Sequence, residues 1–146
     1  MWRWLAVFGC AILIVSWTYT AARVRTVPTG TTVVHDDFTY TVQRVTKTRD
    51  GSASIYDVAL LVQNHAKRVP YIWRDRTAYI VDERGQTYAP VSRYSANLYP
   101  GKSAEVHLRF AIPANTKKPS LRFWDTIFIG DLFDGLRYAR TAVVLY

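Results

Sequence analysis

Residues 103–112, Ser-Ala-Glu-Val-His-Leu-Arg-Phe-Ala-Ile, carry the strongest structural signal in this chain. Apolar residues occupy every second position, and mostly polar or charged residues stand between them. Successive side chains of a strand point to opposite faces, so this period of two predicts a β-strand with one buried face. That face would hold Ala104, Val106, Leu108, Phe110 and Ile112. Tyr99-Pro100-Gly101-Lys102 predicts a turn before the strand, and Pro113 ends it.

Similar patterns elsewhere predict further strands. Residues 38–42 alternate until the phase slips at Arg44-Val45, which predicts a bulge. Residues 55–64 are apolar on both faces near their centre, as expected of a middle strand, and Asp50-Gly51 predicts a tight hairpin between the two. Further strands are predicted at 77–82, 86–90, 121–124, 126–129 and 141–146. Short strands, frequent turn signals and no long amphipathic helix predict an all-β, antiparallel two-sheet sandwich.

The N-terminal residues have a different character. Residues 4–22 carry no charge, and small residues precede and include Ala22, the pattern of a secretory signal. The same span has about the minimum length that crosses a bilayer core roughly 30 Å thick. We therefore expect one hydrophobic helix in residues 1–22, as a membrane anchor or as a signal peptide cleaved near Ala22. Residues 23–30 would be a tether, and residues 31–146 one β-sandwich domain.

This organisation predicts where the domain works. We expect it to be extracytoplasmic, held at the membrane through residues 4–22 or, after cleavage, secreted or periplasmic. Cys10 is the only cysteine, so the domain would contain no disulfide, and its stability would depend on its core. Nineteen Lys and Arg residues against eleven Asp and Glu give a formal net charge of +8. A basic domain near a membrane can bind anionic headgroups or acidic envelope polymers, whereas an exported location argues against nucleic acid.

Several strings, in this order, resemble a known family. They are Tyr-Asp-Val-Ala-Leu-Leu-Val-Gln-Asn at 56–64, Ala-Tyr-Ile-Val-Asp-Glu-Arg-Gly-Gln-Thr-Tyr at 78–88, and Leu-Tyr-Pro-Gly-Lys-Ser at 98–103 followed by Arg-Phe-Ala-Ile-Pro at 109–113. The order is similar to that of exported bacterial immunoglobulin-like domains of unknown function, often called telokin-like, across about residues 33–113. The resemblance implies an immunoglobulin-like β-sandwich after an N-terminal signal or anchor. It implies no catalytic residues.

The run Tyr71-Ile72-Trp73-Arg74-Asp75-Arg76 is the main candidate binding segment. Tyrosine, tryptophan and arginine are enriched at binding hot spots, and connections between strands often carry recognition. Tyr71, Trp73, Arg74 and Arg76 are therefore the predicted contacts for a protein or a cell-envelope component. On this hypothesis, alanine at Trp73 and Arg74 would abolish binding with little loss of stability. Alternatively, Trp73 fills the end of the sandwich and the charged residues form surface pairs.

Other chemistry has less support. The sequence lacks the Gly-x-Ser-x-Gly, Ser-x-x-Lys and His-Glu-x-x-His patterns, so we expect neither an enzyme nor a cofactor. His35, Asp36 and Asp37 lie together and form the basis of an alternative, a small-ligand or metal site. Strand geometry would turn Asp36 away from its two neighbours. Four other aromatic residues could extend a binding surface or fill the core: Tyr94, Tyr99, Trp124 and Tyr138.

Overall fold

The structure is a computed structural model that describes residues 24–35, 37–123 and 141–146. The predicted hydrophobic helix and its proposed membrane span lie outside these residues, as do Asp36, Trp124, Tyr138 and the predicted strand at 126–129. No helix in the described ranges is long and apolar enough to cross a membrane.

Eleven strands and one 3₁₀ turn make up the described chain. The strands are β1 (Arg25–Val27), β2 (Thr32–His35), β3 (Phe38–Asp50), β4 (Ala53–Asn64), β5 (Tyr71–Arg74), β6 (Ala78–Val81), β7 (Thr87–Tyr88), β8 (Ser95–Leu98), β9 (Ser103–Pro113), β10 (Ser120–Phe123) and β11 (Thr141–Val144). The 3₁₀ turn, Asp75–Thr77, joins β5 to β6.

These strands form two main sheets and a short ribbon. The first sheet has the order β1-β11-β10-β6-β7, the second β2-β3-β4-β9, and the ribbon pairs β5 with β8. The predicted all-β sandwich is confirmed at this level. One feature differs from the antiparallel expectation, because β1 pairs with β11 in parallel. The ribbon was missed, since neither of its four-residue strands shows a clear alternation of polar and apolar residues.

The core lies between the two main sheets. The prediction for residues 103–112 is confirmed in detail, because β9 alternates between buried and exposed positions along most of its length. Val106, Leu108, Phe110 and Ile112 are buried. On the facing sheet, Phe123 stacks on Tyr40 with ring centroids 4.9 Å apart. Burial of these large apolar side chains is the main stabilising contribution.

The middle-strand and hairpin predictions also hold. β4 pairs with β3 on one side and β9 on the other. Its second face is only partly covered: Ala59 is buried there, whereas Leu61 is half-buried. Gly51 adopts a φ of +55°, which a tight turn requires and glycine accommodates without strain. The register shifts between Val42 and Arg44, close to the predicted phase slip.

The predicted tether is not a simple linker. Residues 25–27, within the expected tether 23–30, form β1 and pair with β11. Val27 is only 6% exposed and belongs to the core. The sequence pattern hid this strand because three residues are too few to show a period. The folded part therefore begins closer to residue 22 than the sequence indicated.

Candidate functional site

The segment from β5 into the 3₁₀ turn alternates strictly between inside and outside. Trp73 and Asp75 are buried, whereas Arg74 and Arg76 are exposed. The extended backbone of β5 produces the first part of this alternation, and Arg74 is still extended, at φ −133° and ψ 138°, where the 3₁₀ turn starts. The four predicted contacts thus divide into two groups, one facing the core and one facing solvent.

Trp73 is a core residue and cannot contact a partner with its side chain. It is 0% exposed, and its ring centroid lies 5.8 Å from that of Tyr40. Tyr71 is half-buried, accepts a hydrogen bond of 2.9 Å from the Tyr40 hydroxyl, and stacks on Phe38 with centroids 4.2 Å apart. Both aromatic residues therefore stabilise the sandwich. The expectation that Trp73 could be replaced with little loss of stability was wrong.

Asp75 fixes a second segment of chain against the 3₁₀ turn. Its carboxylate accepts hydrogen bonds from the Tyr94 backbone N–H at 2.8 Å and from Trp73 Nε1 at 3.4 Å. Its own backbone N–H donates to the Tyr94 carbonyl at 3.1 Å. A buried carboxylate needs such donors, because burial without them is costly. Asp75, 4% exposed, thus joins the segment that carries Arg74 and Arg76 to the segment that carries Tyr94.

Residues 89–95 form the second wall of a cleft of about 550 Å³. This wall is also attached to β9: the Val91 N–H donates to the Arg109 carbonyl at 2.7 Å, and the Arg109 N–H donates to Ser92 Oγ at 3.3 Å. We call this space the arginine cleft, because Arg74, Arg76 and Arg93 all line it. Tyr94, 48% exposed, lines it as well.

The three arginines of this cleft have no carboxylate partner among the described residues. Within those ranges, Asp57 forms an ion pair with Arg109, and Glu105 lies 3.4 Å from His107 Nε2. Asp75, the acidic residue that lines the cleft, binds Trp73 and Tyr94 instead. Exposed guanidinium groups carry planar sets of donors that match carboxylate and phosphate oxygens. The cleft therefore has the chemistry of an anion-binding site.

A second cleft, also of about 550 Å³, lies on the other side of residues 89–95. Val91, Ser92, His107 and Arg109 line it together with Asp57. Arg109 Nε and Nη2 donate to the two Asp57 carboxylate oxygens at 2.7 and 3.2 Å. This bidentate contact raises the pKa of Arg109 above its ordinary value. We call this space the paired cleft, since its guanidinium is already neutralised.

The alternative metal site receives no support from the described residues. Across residues 24–35, 37–123 and 141–146, no three His, Cys, Asp or Glu side chains are grouped so that they could hold a metal ion. His35 is buried at the end of β2, and Asp36 lies outside the described residues.

Sequence reasoning found half of the arginine cleft. It singled out Arg74 and Arg76 but missed Arg93, and it named Tyr94 only as one of several aromatic residues. A composition signal was present, because residues 84–104 contain no Asp or Glu. Only the contacts made by Asp75 show that this acid-free stretch folds against the 3₁₀ turn.

Comparison with known proteins supports the fold. No family model matches this chain, and no curated protein sequence matches it. Among solved structures, the yjhA protein of Bacillus subtilis is 16% identical, with a TM-score of 0.59, over 82% of this chain and 98% of its own. An uncharacterised β-sandwich protein of Clostridium difficile 630 is 11% identical, with a TM-score of 0.52, over 84% and 94%.

A third structure is the secreted protein MPT63 of Mycobacterium tuberculosis. It is 10% identical, with a TM-score of 0.56, over 73% of this chain and 93% of its own. At these identities the similarity shows the fold alone. The matches support an immunoglobulin-like β-sandwich, in agreement with the resemblance seen in the sequence.

Proposed function

We propose that this protein is a non-enzymatic extracytoplasmic module, tethered to a membrane or secreted, that binds an anionic group of a protein or cell-envelope component. The proposal places the ligand in the arginine cleft and transfers the predicted binding role from Tyr71 and Trp73 to Arg93 and Tyr94. The observation that carries it is the grouping of three exposed guanidinium groups, none of which has a carboxylate partner in the described chain.

Two further observations support this role. The walls of the cleft are held by hydrogen bonds through Asp75, Val91 and Ser92, so the backbone that carries its arginines needs little ordering when a ligand binds. The extracytoplasmic location is supported by the uncharged residues 4–22 and by the structural similarity to a secreted protein.

Site-specific photo-crosslinking of the full chain in its own cells would test the proposal. A photoreactive phenylalanine analogue at Tyr94 lines the cleft, whereas the same analogue at Lys117 is exposed outside it. We expect adducts from position 94 and few from position 117. Protease and lipid extraction would then show whether the captured component is a protein, a lipid or a polymer.

Charge variants supply the matched control. The triple variant Arg74→Gln, Arg76→Gln and Arg93→Gln should abolish the adducts at position 94 without changing the melting temperature. A control triple variant removes the same charge at exposed positions outside the cleft: Arg49→Gln, Lys117→Gln and Lys118→Gln. It should leave the adducts intact. Equal loss in both triples would reduce the effect to net charge and would overturn the site, and an absence of adducts in the parent chain would overturn the function.

A further inference from the structure

The N-terminal end of the described chain and the arginine cleft lie at the same end of the first sheet, the end at which β1 and β6 begin. Val27 pairs with Val143, Val143 with Leu121, and Leu121 with Ile80, so one row crosses β1, β11, β10 and β6. β1 is parallel to β11, and β10 is antiparallel to both β11 and β6. Strands β1 and β6 therefore run in the same direction and begin at the same end of the sheet.

The segments that precede these two strands follow from this topology. Before β6 stands the 3₁₀ turn with Arg76, preceded by Arg74. Before β1 stand residues 23–24 and then the uncharged residues 4–22. Three strand spacings separate β1 from β6, which is about 14 Å. From residue 22 to Arg25 the chain can span at most about 11 Å.

This placement has a geometric consequence if residues 4–22 hold the protein at a membrane, which is the tethered form of the proposed function. The end of the first sheet at which β1 and β6 begin must then lie close to the headgroups. Arg74 and Arg76, which precede β6, lie at that end, and the hydrogen bonds between Asp75 and Tyr94 hold the segment of Arg93 next to them. Lipid phosphates are thus the anions that the tether brings nearest to the cleft.

The ribbon adds an apolar component to this surface. Ile72 is 53% exposed and lies two residues from Arg74 on the outward face of β5, because Trp73 between them is buried. Ile72 pairs with Asn97, and Tyr99, 64% exposed, follows Asn97 by two residues, at the end of the ribbon away from Arg74. An apolar side chain beside Arg74 and an exposed tyrosine on the same ribbon suit a bilayer interface, where tyrosine is enriched, better than they suit a fully hydrated polyanion.

We infer that the arginine cleft binds the phosphate groups of anionic lipids in the membrane that holds the N-terminal segment, with the Ile72–Tyr99 face of the ribbon against the headgroups. The domain would then lie on the membrane as well as being tethered to it. This inference rests on the proposed function, since it names the ligand of the same cleft.

Fluorescence quenching in reconstituted vesicles tests the inference with the full chain. The background is Cys10→Ser. A fluorophore on Asn97→Cys reports on the ribbon. A fluorophore on Lys117→Cys reports on the opposite end of the first sheet, just before β10. Vesicles carry a quencher on their headgroups and are made of phosphatidylcholine alone or enriched in phosphatidylglycerol. We expect strong quenching at position 97 only with phosphatidylglycerol, falling at high salt, and weak quenching at position 117 in both.

The cleft variants make the test specific. Arg74→Gln, Arg76→Gln and Arg93→Gln together should shift the docking equilibrium about a hundredfold toward the undocked state, because each cation near an anionic surface contributes about fivefold. The control triple at Arg49, Lys117 and Lys118 should change it much less. Quenching at position 97 that is indifferent to lipid charge or to the cleft variants would overturn the inference.

Soluble probes separate a lipid ligand from other phosphate ligands. Inorganic phosphate and soluble poly(glycerol phosphate) are added to the docked protein. We expect neither to release it at concentrations that leave the ionic strength unchanged. Release by the polymer but not by equal charge as chloride would identify a polymer ligand and reject the lipid. Arginine-dependent cross-links to a protein in cells, without lipid-dependent quenching, would leave the proposed function standing while this inference failed.

Discussion

The two clefts on either side of residues 89–95 have similar volumes and share Ser92, yet they offer different chemistry. In the paired cleft, Arg109 is held by Asp57 in a bidentate contact. In the arginine cleft, the Asp75 carboxylate is buried and accepts hydrogen bonds from Trp73 and Tyr94, so it does not form an ion pair with the neighbouring arginines. A guanidinium that already binds an internal carboxylate attracts an external anion less strongly than one that does not. The number of arginines matters less than the position of each carboxylate.

The largest expected effect concerns Trp73, which donates a hydrogen bond to the cleft residue Asp75. Trp73→Ala removes a fully buried indole and should lower the free energy of unfolding by about 3–5 kcal/mol. Ile72→Ala, at the exposed neighbouring position, should change it by less than about 0.5 kcal/mol. Denaturant unfolding of the full chain in detergent measures both. Similar small losses in the two variants would show that the cleft does not rest on the core.

Asp75→Ala addresses the link between the two walls. The Tyr94 N–H and Trp73 Nε1 would lose their acceptor, which should cost about 1–3 kcal/mol. Asp75→Asn retains one carbonyl oxygen, and so an acceptor for one of the two hydrogen bonds, and should lose less. The same unfolding experiment compares them, and the cross-linking yield at position 94 should fall with Asp75→Ala because the cleft loses its shape. An unchanged stability in both variants would contradict the proposed role of this carboxylate.

Asp57→Asn should convert the paired cleft toward the behaviour of the arginine cleft. Arg109 loses its anionic partner and becomes available to an external anion. Titration with inorganic phosphate, followed by backbone amide chemical shifts, should move the His107 and Arg109 signals in the variant and leave them nearly still in the parent chain. The Arg93 signal should move in both proteins. If the Arg109 signal responds equally in both, pairing does not distinguish the clefts.

The smallest effect concerns the turn that leads into the shared wall through β7. Desolvation opposes ionisation of Asp82, but hydrogen bonds from the Gln86 and Arg84 backbone N–H groups and the Tyr88 hydroxyl outweigh it and hold its pKa below the ordinary value. A lowered pKa in the folded state means that the stabilisation is complete above the unfolded-state pKa of about 3.9 and is lost as the pH falls through the folded value.

Asp82→Asn should therefore be slightly less stable than the parent chain at neutral pH, with the difference shrinking below about pH 4. Thermal unfolding at several pH values measures this. A constant difference across that range would show that the Asp82 charge does not stabilise the turn. Lys117, whose backbone N–H donates to Glu83, provides a neighbouring contact that the Asp82 substitution leaves in place.

Much of the fold could be predicted from local pattern. The alternation in β9, the apolar middle strand β4 and the glycine at the β3–β4 turn each concern neighbours in sequence, and each is present in the structure. Elements of three or four residues could not be predicted this way. β1, β5 and β8 are too short to show a period, and their positions depend on partners that are distant in the chain.

The sequence by itself determined the strand class, the basic charge and the two arginines at positions 74 and 76. Only the tertiary structure decided which residues of that run face solvent, because Trp73 and Asp75 are drawn inward by contacts with Tyr40 and Tyr94. It also decided which arginine of the described residues is held by a carboxylate, since Asp57 and Arg109 are 52 residues apart in the chain. Charge is a property of composition, whereas its availability depends on long-range pairing, which local sequence does not encode.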